Sequence, residues 1–101
     1  MIIYSVTVRV KGEIANEWLQ WMEGEHIPNM LNTGYFNSYK IFKILVPETE
    51  VGFIVYRVNY ELDSFERYNE YAQKEAKRLQ EEAIKRYHGK FTASREVIEK
   101  I

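Results

Sequence analysis

The stretch WLQWMEGEHIPNMLNTG, Trp18–Gly34, carries both tryptophans, one of the two histidines, one of the two prolines and two of the three methionines in a chain of 101 residues. It reads as a helix that breaks at His26-Ile27-Pro28, resumes for a turn or so, and stops at Gly34. The residue before a proline is biased away from the α region. Pro28 suits the first position of a new helix, where its missing N–H costs nothing. Gly34 suits the left-handed position that closes a helix. Upstream, Ile14, Trp18, Trp21 and Met22 stand at i, i+4, i+7 and i+8, which predicts one apolar stripe on a helix over Glu13–Gly24. Glu13 and Glu17 favour the positive end of that helix.

Strands flank this helix. Ile2 to Val10 alternates, with Tyr4, Val6, Val8 and Val10 on one face and Ile3, Ser5, Thr7 and Arg9 on the other. Tyr35 to Pro47 is a long extended run whose imperfect alternation predicts a bulge. Pro47 to Glu50 is read as a turn, and Val51 to Leu62 as the returning strand of a hairpin. Ile54, Tyr56, Val58, Tyr60 and Leu62 share one face of it. Asp63 to Glu66 matches a capping box, with Asp63 as the cap. The helix that follows runs to about His88, with a bend expected near Glu75 to Lys77. Its predicted buried stripe is Phe65, Tyr68, Ala72, Ala76, Leu79, Ala83 and Tyr87. Glu70 with Lys74, Glu81 with Lys85 and Glu82 with Arg86 are i,i+4 pairs on its wet side. Lys90 to Ile98 reads as a last strand, with Phe91, Ala93, Arg95 and Val97 on one side.

Strand, helix, strand, strand, helix, strand is the split βαβ order. The expectation is an α+β fold over residues 1–101 as one ferredoxin-like βαββαβ domain, with two helices on one face of a four-stranded antiparallel sheet. The other face would carry Ile3, Ser5, Thr7, Arg9, Phe53, Val55, Arg57 and Asn59, joined by some of Tyr39, Ile41, Leu45 and Arg95. Such a face is too apolar to leave bare. A two-fold dimer with these faces together, enclosing a partly polar cavity, is the economical solution.

Composition narrows function by exclusion. Zero cysteines remove disulfides, thiolate metal sites and a cysteine nucleophile. A net charge of −1 lacks the clustered cationic excess of a nucleic-acid module. The start Met1-Ile-Ile-Tyr-Ser-Val has no basic n-region, no stretch approaches a membrane span, and a cytoplasmic address is expected. Two separated histidines match no metal-ligand spacing. No phosphate loop or nucleophile elbow is present.

The start Met-Ile-Ile-Tyr-Ser-Val-Thr-Val, the Trp18-x-x-Trp21-Met22 helix, Glu25-His26-Ile27-Pro28, Gly34-Tyr-Phe36 and the closing Arg86-Tyr-x-x-Lys-Phe91-x-x-x-Arg95 resemble a family of short bacterial proteins of unknown function. The resemblance covers nearly the whole chain. It implies a ferredoxin-like dimer within or near the dimeric α/β barrel superfamily, and no established activity. More distant members of that superfamily include cofactor-free monooxygenases, haem-handling enzymes and plain binding proteins.

Two functional readings follow. One is a homodimeric module that binds a small molecule or partner. The other is a cofactor-independent enzyme of oxygenase or isomerase type, working in a cavity between the two sheets of the dimer. His26 is the leading candidate in either, as acid, base or haem ligand; the competing reading is that it satisfies a carbonyl freed by Pro28. Trp21, at the stripe's edge, is a candidate ligand platform. Arg9, Arg57 and Arg95, with Tyr39, would converge on an anionic ligand, and Arg57 is a second catalytic candidate. Pairing of these arginines with Glu61 or Glu96 is the alternative. No metal and no cofactor are expected, with haem on His26 the one cofactor left open.

Overall fold

A computed structural model describes residues 1–48 and 50–101. Strand β1 (Ile2–Lys11) is followed by a 3₁₀ turn and helix α1 (Ala15–Trp21), a π-helical turn (Met22–His26) and helix α2 (Ile27–Asn32). Strands β2 (Ser38–Lys43) and β3 (Phe53–Leu62), helices α3 (Phe65–Lys74) and α4 (Ala76–Tyr87), and strand β4 (Phe91–Glu99) complete the chain. The sheet order is β2-β3-β1-β4, antiparallel throughout. The ferredoxin-like α+β architecture is therefore as expected.

Register decides which face each side chain takes, because residues directly opposite one another share a face. Tyr4 lies opposite Tyr60, Val8 opposite Tyr56, and Val10 opposite Ile54. These residues and Val58 face the helices. Arg95 lies opposite Val6, Tyr39 opposite Tyr60, and Ile41 opposite Val58. Arg95, Tyr39 and Ile41 are thus on the helix face, and their expected place on the open face is corrected. Phe42, opposite Arg57, takes the open face in their stead. Alternation alone could not settle this, since a one-residue slip moves a whole strand's side chains to the other side.

The expected helix break at His26-Ile27-Pro28 does not occur. His26 and Ile27 both have right-handed helical dihedrals. The chain instead widens by one residue over Met22–His26, where the Ile27 N–H bonds the Met22 carbonyl five residues back. Pro28 cannot donate to the carbonyl of Gly24, and its ring would crowd that carbonyl in a regular helix. A π-helical turn relieves the conflict, and a side chain at Gly24 would meet nothing within 4 Å. Gly34, at φ 84°, closes the helix as expected, and Thr33 Oγ1 donates to the Met30 carbonyl at 2.7 Å.

Three further expectations shift. Ser64, not Asp63, caps α3: its Oγ accepts from the Arg67 N–H at 3.3 Å, while Asp63 accepts from Asn37 at 2.7 Å. Glu75, at φ −126°, separates α3 from α4 where a bend was expected. The buried stripe runs through Tyr71, Ala76, Leu79 and Tyr87. Tyr71 and Ala76 are five apart, and the break at Glu75 absorbs the extra residue. Ala72 and Phe65 consequently face solvent. On the wet side Glu70 pairs with Lys74 at 3.9 Å, whereas Arg78 bridges Glu75 and Glu82 in place of the other two expected pairs. The β2–β3 connection is longer than a tight hairpin. Ile44 N–H still bonds the Val55 carbonyl at 2.9 Å, but Leu45, Val46 and Val51 then stand exposed. Thr49, in the expected turn, lies outside the described residues.

The core fills the space between the helices and the sheet. Trp18 is its centre, 1% exposed and stacked on Tyr56 with ring centroids 5.2 Å apart. No helix among the described residues is long and apolar enough to cross a membrane.

Candidate functional site

One part of the helix–sheet space is unfilled. A cavity of about 40 Å³ lies between β1 and β4 on one side and the π-helical turn, α2, α3 and α4 on the other. Val6, Val8, Leu79, Ala83, Phe91 and Ala93 give it apolar walls. Its polar lining comes from His26, Tyr4, Tyr60, Tyr71, Gln80 and Arg95. This is room for one water or a few, since a single water needs roughly 10–15 Å³ of such space. An open groove of about 400 Å³ adjoins it between α4 and β4, bordered by Gln80, Ile84, His88, Phe91 and Arg95. Gln80, Phe91, Ala93 and Arg95 line both and form the neck between them.

His26 reaches the cavity because the π-helical turn aims it there. Its ring stacks on Trp21 with centroids 5.0 Å apart and planes 30° from parallel. Its Nδ1 is buried without a hydrogen-bond partner. Burial, reinforced by the positive charge of Arg95, lowers its pKa from 6.5 to about 4. The imidazole is therefore neutral near pH 7, able to accept a proton or a hydrogen bond. A buried polar atom without a partner is costly and calls for an explanation. Capping of a broken helix is not that explanation, because the helix is unbroken.

Trp21 is 8% exposed and backs His26 from outside the cavity. It meets Tyr87 edge-on at 5.4 Å, with the Arg86 guanidinium 5.9 Å from its ring centre. Tyr4 contacts Tyr71, Tyr60 and Phe36 at centroid distances of 5.6, 6.1 and 6.1 Å. The Tyr71 hydroxyl donates to Met30 Sδ at 3.3 Å. Burial raises the pKa of Tyr4, Tyr60 and Tyr71, so these phenols stay protonated. The lining contains no carboxylate. Tyr71 was missed from sequence because it fell off the stripe of an uninterrupted helix.

Of the predicted residues, only His26 and Arg95 come together. Arg9 is on the open face, ion-paired with Glu50 and with its guanidinium 3.7 Å from the Phe53 ring centre. Arg57, also there, donates from Nε to Thr7 Oγ1 at 3.2 Å. The expected convergence of three arginines is corrected: the sheet itself separates Arg9 and Arg57 from Arg95. Neither Glu61 nor Glu96 pairs with them among the described residues. Tyr39 faces the helices on β2 but does not line the cavity. No cluster of three metal-ligating side chains occurs among the described residues. The resting space holds only a few waters and would have to open to admit a haem, and Trp21 stacks against the His26 imidazole.

The fold and this pocket define the class: a ferredoxin-like α+β protein with a small, partly polar pocket beneath its helices. The chain belongs to the family described as Domain of unknown function (DUF4286), whose model matches residues 1–101. No curated protein matches it in sequence. Solved structures do share its fold. An ethyl tert-butyl ether d (EthD) family protein from Bacillus halodurans is 17% identical over 100% of both chains, with a TM-score of 0.68. A dimeric ferredoxin-like protein from an uncultured marine organism is 17% identical over 100% of this chain and 97% of its own, at 0.62. A mutant of MhuD, with two manganese protoporphyrin IX molecules bound per active site, is 15% identical over 100% and 95%, at 0.68.

Proposed function

We propose that the protein is a homodimeric small-molecule-binding module whose ligand enters from the α4–β4 groove and reaches the cavity at His26. The buried, unpartnered Nδ1 of His26 carries this reading. It lies beside a cavity with a route to solvent, where a ligand's donor would satisfy it. The resting cavity is too small for a metabolite, so binding requires α4 to move away from β4. Ligand pockets typically need a few hundred Å³, a volume the groove supplies once the neck opens. This reading puts the ligand under the helices and not between two sheets.

The dimer half of the proposal draws on the open face. Phe42 and Ile98 are 47% and 45% exposed there, Leu45, Val46 and Val51 are exposed in the β2–β3 connection, and Asn59 Oδ1 is buried without a partner. A dimeric structure of the same fold supports it. Light scattering should give twice 12.1 kDa at micromolar concentration; a monomer mass removes the dimer. For the site, a melting screen against a metabolite library should yield ligands that raise the melting temperature of the wild type but not of His26→Phe, since binding only the native state stabilises it. Equal shifts in both proteins would remove His26 from the site.

A second reading is supported by the neutral His26 itself. A pKa near 4 makes the resting imidazole a weak base, so abstraction of a proton from a carbon acid would require a bound substrate to raise it, with Arg95 offsetting the developing negative charge. That is the isomerase-type alternative, needing no cofactor. Turnover lost in His26→Gln while binding is retained would favour it over simple binding.

A further inference from the structure

We infer that the ligand of this pocket is a small organic carboxylate with an apolar body, its charged end held by Arg95 at the neck and its far end directed to His26. The inference rests on the site proposed above and adds the ligand's chemical class.

Arg95 is the odd residue of β4. The strand's helix-facing positions Phe91, Ala93 and Val97 are apolar, as a face turned to a core requires. Arg95 interrupts this series opposite Val6, so its long cationic side chain starts from the apolar side of the sheet. The other well-placed arginines are committed. Arg9 pairs with Glu50, Arg78 bridges Glu75 and Glu82, Arg57 donates to Thr7, and Arg67 donates to the Gly34 carbonyl. Arg95 lies within reach of the Tyr4 hydroxyl but has no acidic partner among the described residues, and neither cavity nor groove presents a carboxylate. Glu96, its sequence neighbour, is on the opposite face by the two-residue period of a strand.

A guanidinium left without a counterion at the neck of an apolar pocket is matched by a planar anion, which it can hold through two parallel hydrogen bonds. Arg95 remains exposed on the side of the groove. The anion's charge therefore stays in partial contact with water, avoiding the large cost of burying it fully. Beyond the charge, the walls ask for hydrocarbon. Ala83 and Ala93, short side chains from α4 and β4, leave the passage through which that body would pass. At the inner end, neutral His26 and the protonated phenols offer hydrogen bonds to an uncharged group, with no fixed charge to attract a second ion.

The test uses the full chain and a panel of small aromatic and branched aliphatic carboxylates, each paired with its primary amide of the same shape. Binding is read by calorimetry and thermal shift in the wild type, Arg95→Gln, Arg95→Lys and Ala93→Leu. At least one carboxylate should bind, tenfold or more tightly than its amide. Arg95→Gln should erase that preference, Arg95→Lys should keep part of it, and Ala93→Leu should block both acid and amide. If carboxylates and amides bind equally, if no carboxylate binds at millimolar concentration, or if Arg95→Gln retains the preference, the inference is wrong. Amide binding that Ala93→Leu abolishes would keep the pocket and discard the anion. Carboxylate binding that Ala93→Leu leaves untouched would discard the pocket as well.

Discussion

The two faces of the sheet use the same residue types differently. On the open face each arginine has a partner: Arg9 has Glu50 and the Phe53 ring, and Arg57 has Thr7. On the helix face, a layer of aromatic rings surrounds one unpartnered imidazole nitrogen and one cation without a counterion. Abundance of polar groups therefore does not mark the site. The open face also has a buried unpartnered atom, Asn59 Oδ1; what sets the helix face apart is that its unpartnered imidazole belongs to a cavity lining.

The largest effect that would separate the faces is on folding. Trp18→Ala, on the helix side, should cost about 3–5 kcal/mol, the usual loss for truncating a buried aromatic. Phe42→Ala, half-exposed on the other side, should cost under about 1 kcal/mol in a chain held monomeric. Denaturant melts compare them directly, and similar losses would break the contrast. Phe42→Asp should instead shift the proposed dimer toward monomer by sedimentation while leaving the monomer folded.

Acid sensitivity is the next effect. In the unfolded chain His26 takes up its proton near 6.5, whereas the fold resists protonation until about 4. The unfolded state binds more protons between those values, so stability should fall as pH drops from about 6.5 to about 4. This group's share should approach 3 kcal/mol at most and level off below. His26→Gln should flatten that part of the profile; an unchanged slope would mean the imidazole is not buried as described. The smallest effect belongs to Arg95→Gln, which should change stability by under about 0.5 kcal/mol, since the residue is exposed and has no acidic partner among the described residues. A larger loss would give Arg95 a structural task.

Much of the fold was legible in the sequence because period and punctuation agree. β1 and β3 alternate cleanly, Gly34 closes its helix, and the tryptophan stripe is where spacing puts it. The site was less legible for three physical reasons. Pairing register cannot be read from one strand, so Arg95 and Tyr39 were placed on the wrong face. Glu75 resets the phase of the long helix, so Tyr71 was replaced by Ala72. The widened turn keeps the chain helical through Pro28, which turns His26 from a cap into a cavity residue. His26 lines a cavity, but its neighbours there are not the ones its sequence surroundings imply.

The claim that the helix face holds the site rests most directly on the state of one ring. Titration of the His26 imidazole followed by NMR should give a pKa near 4 in the free protein. A value near 6.5, that of a solvated histidine, would mean that the ring is not buried in the pocket and would contradict the account.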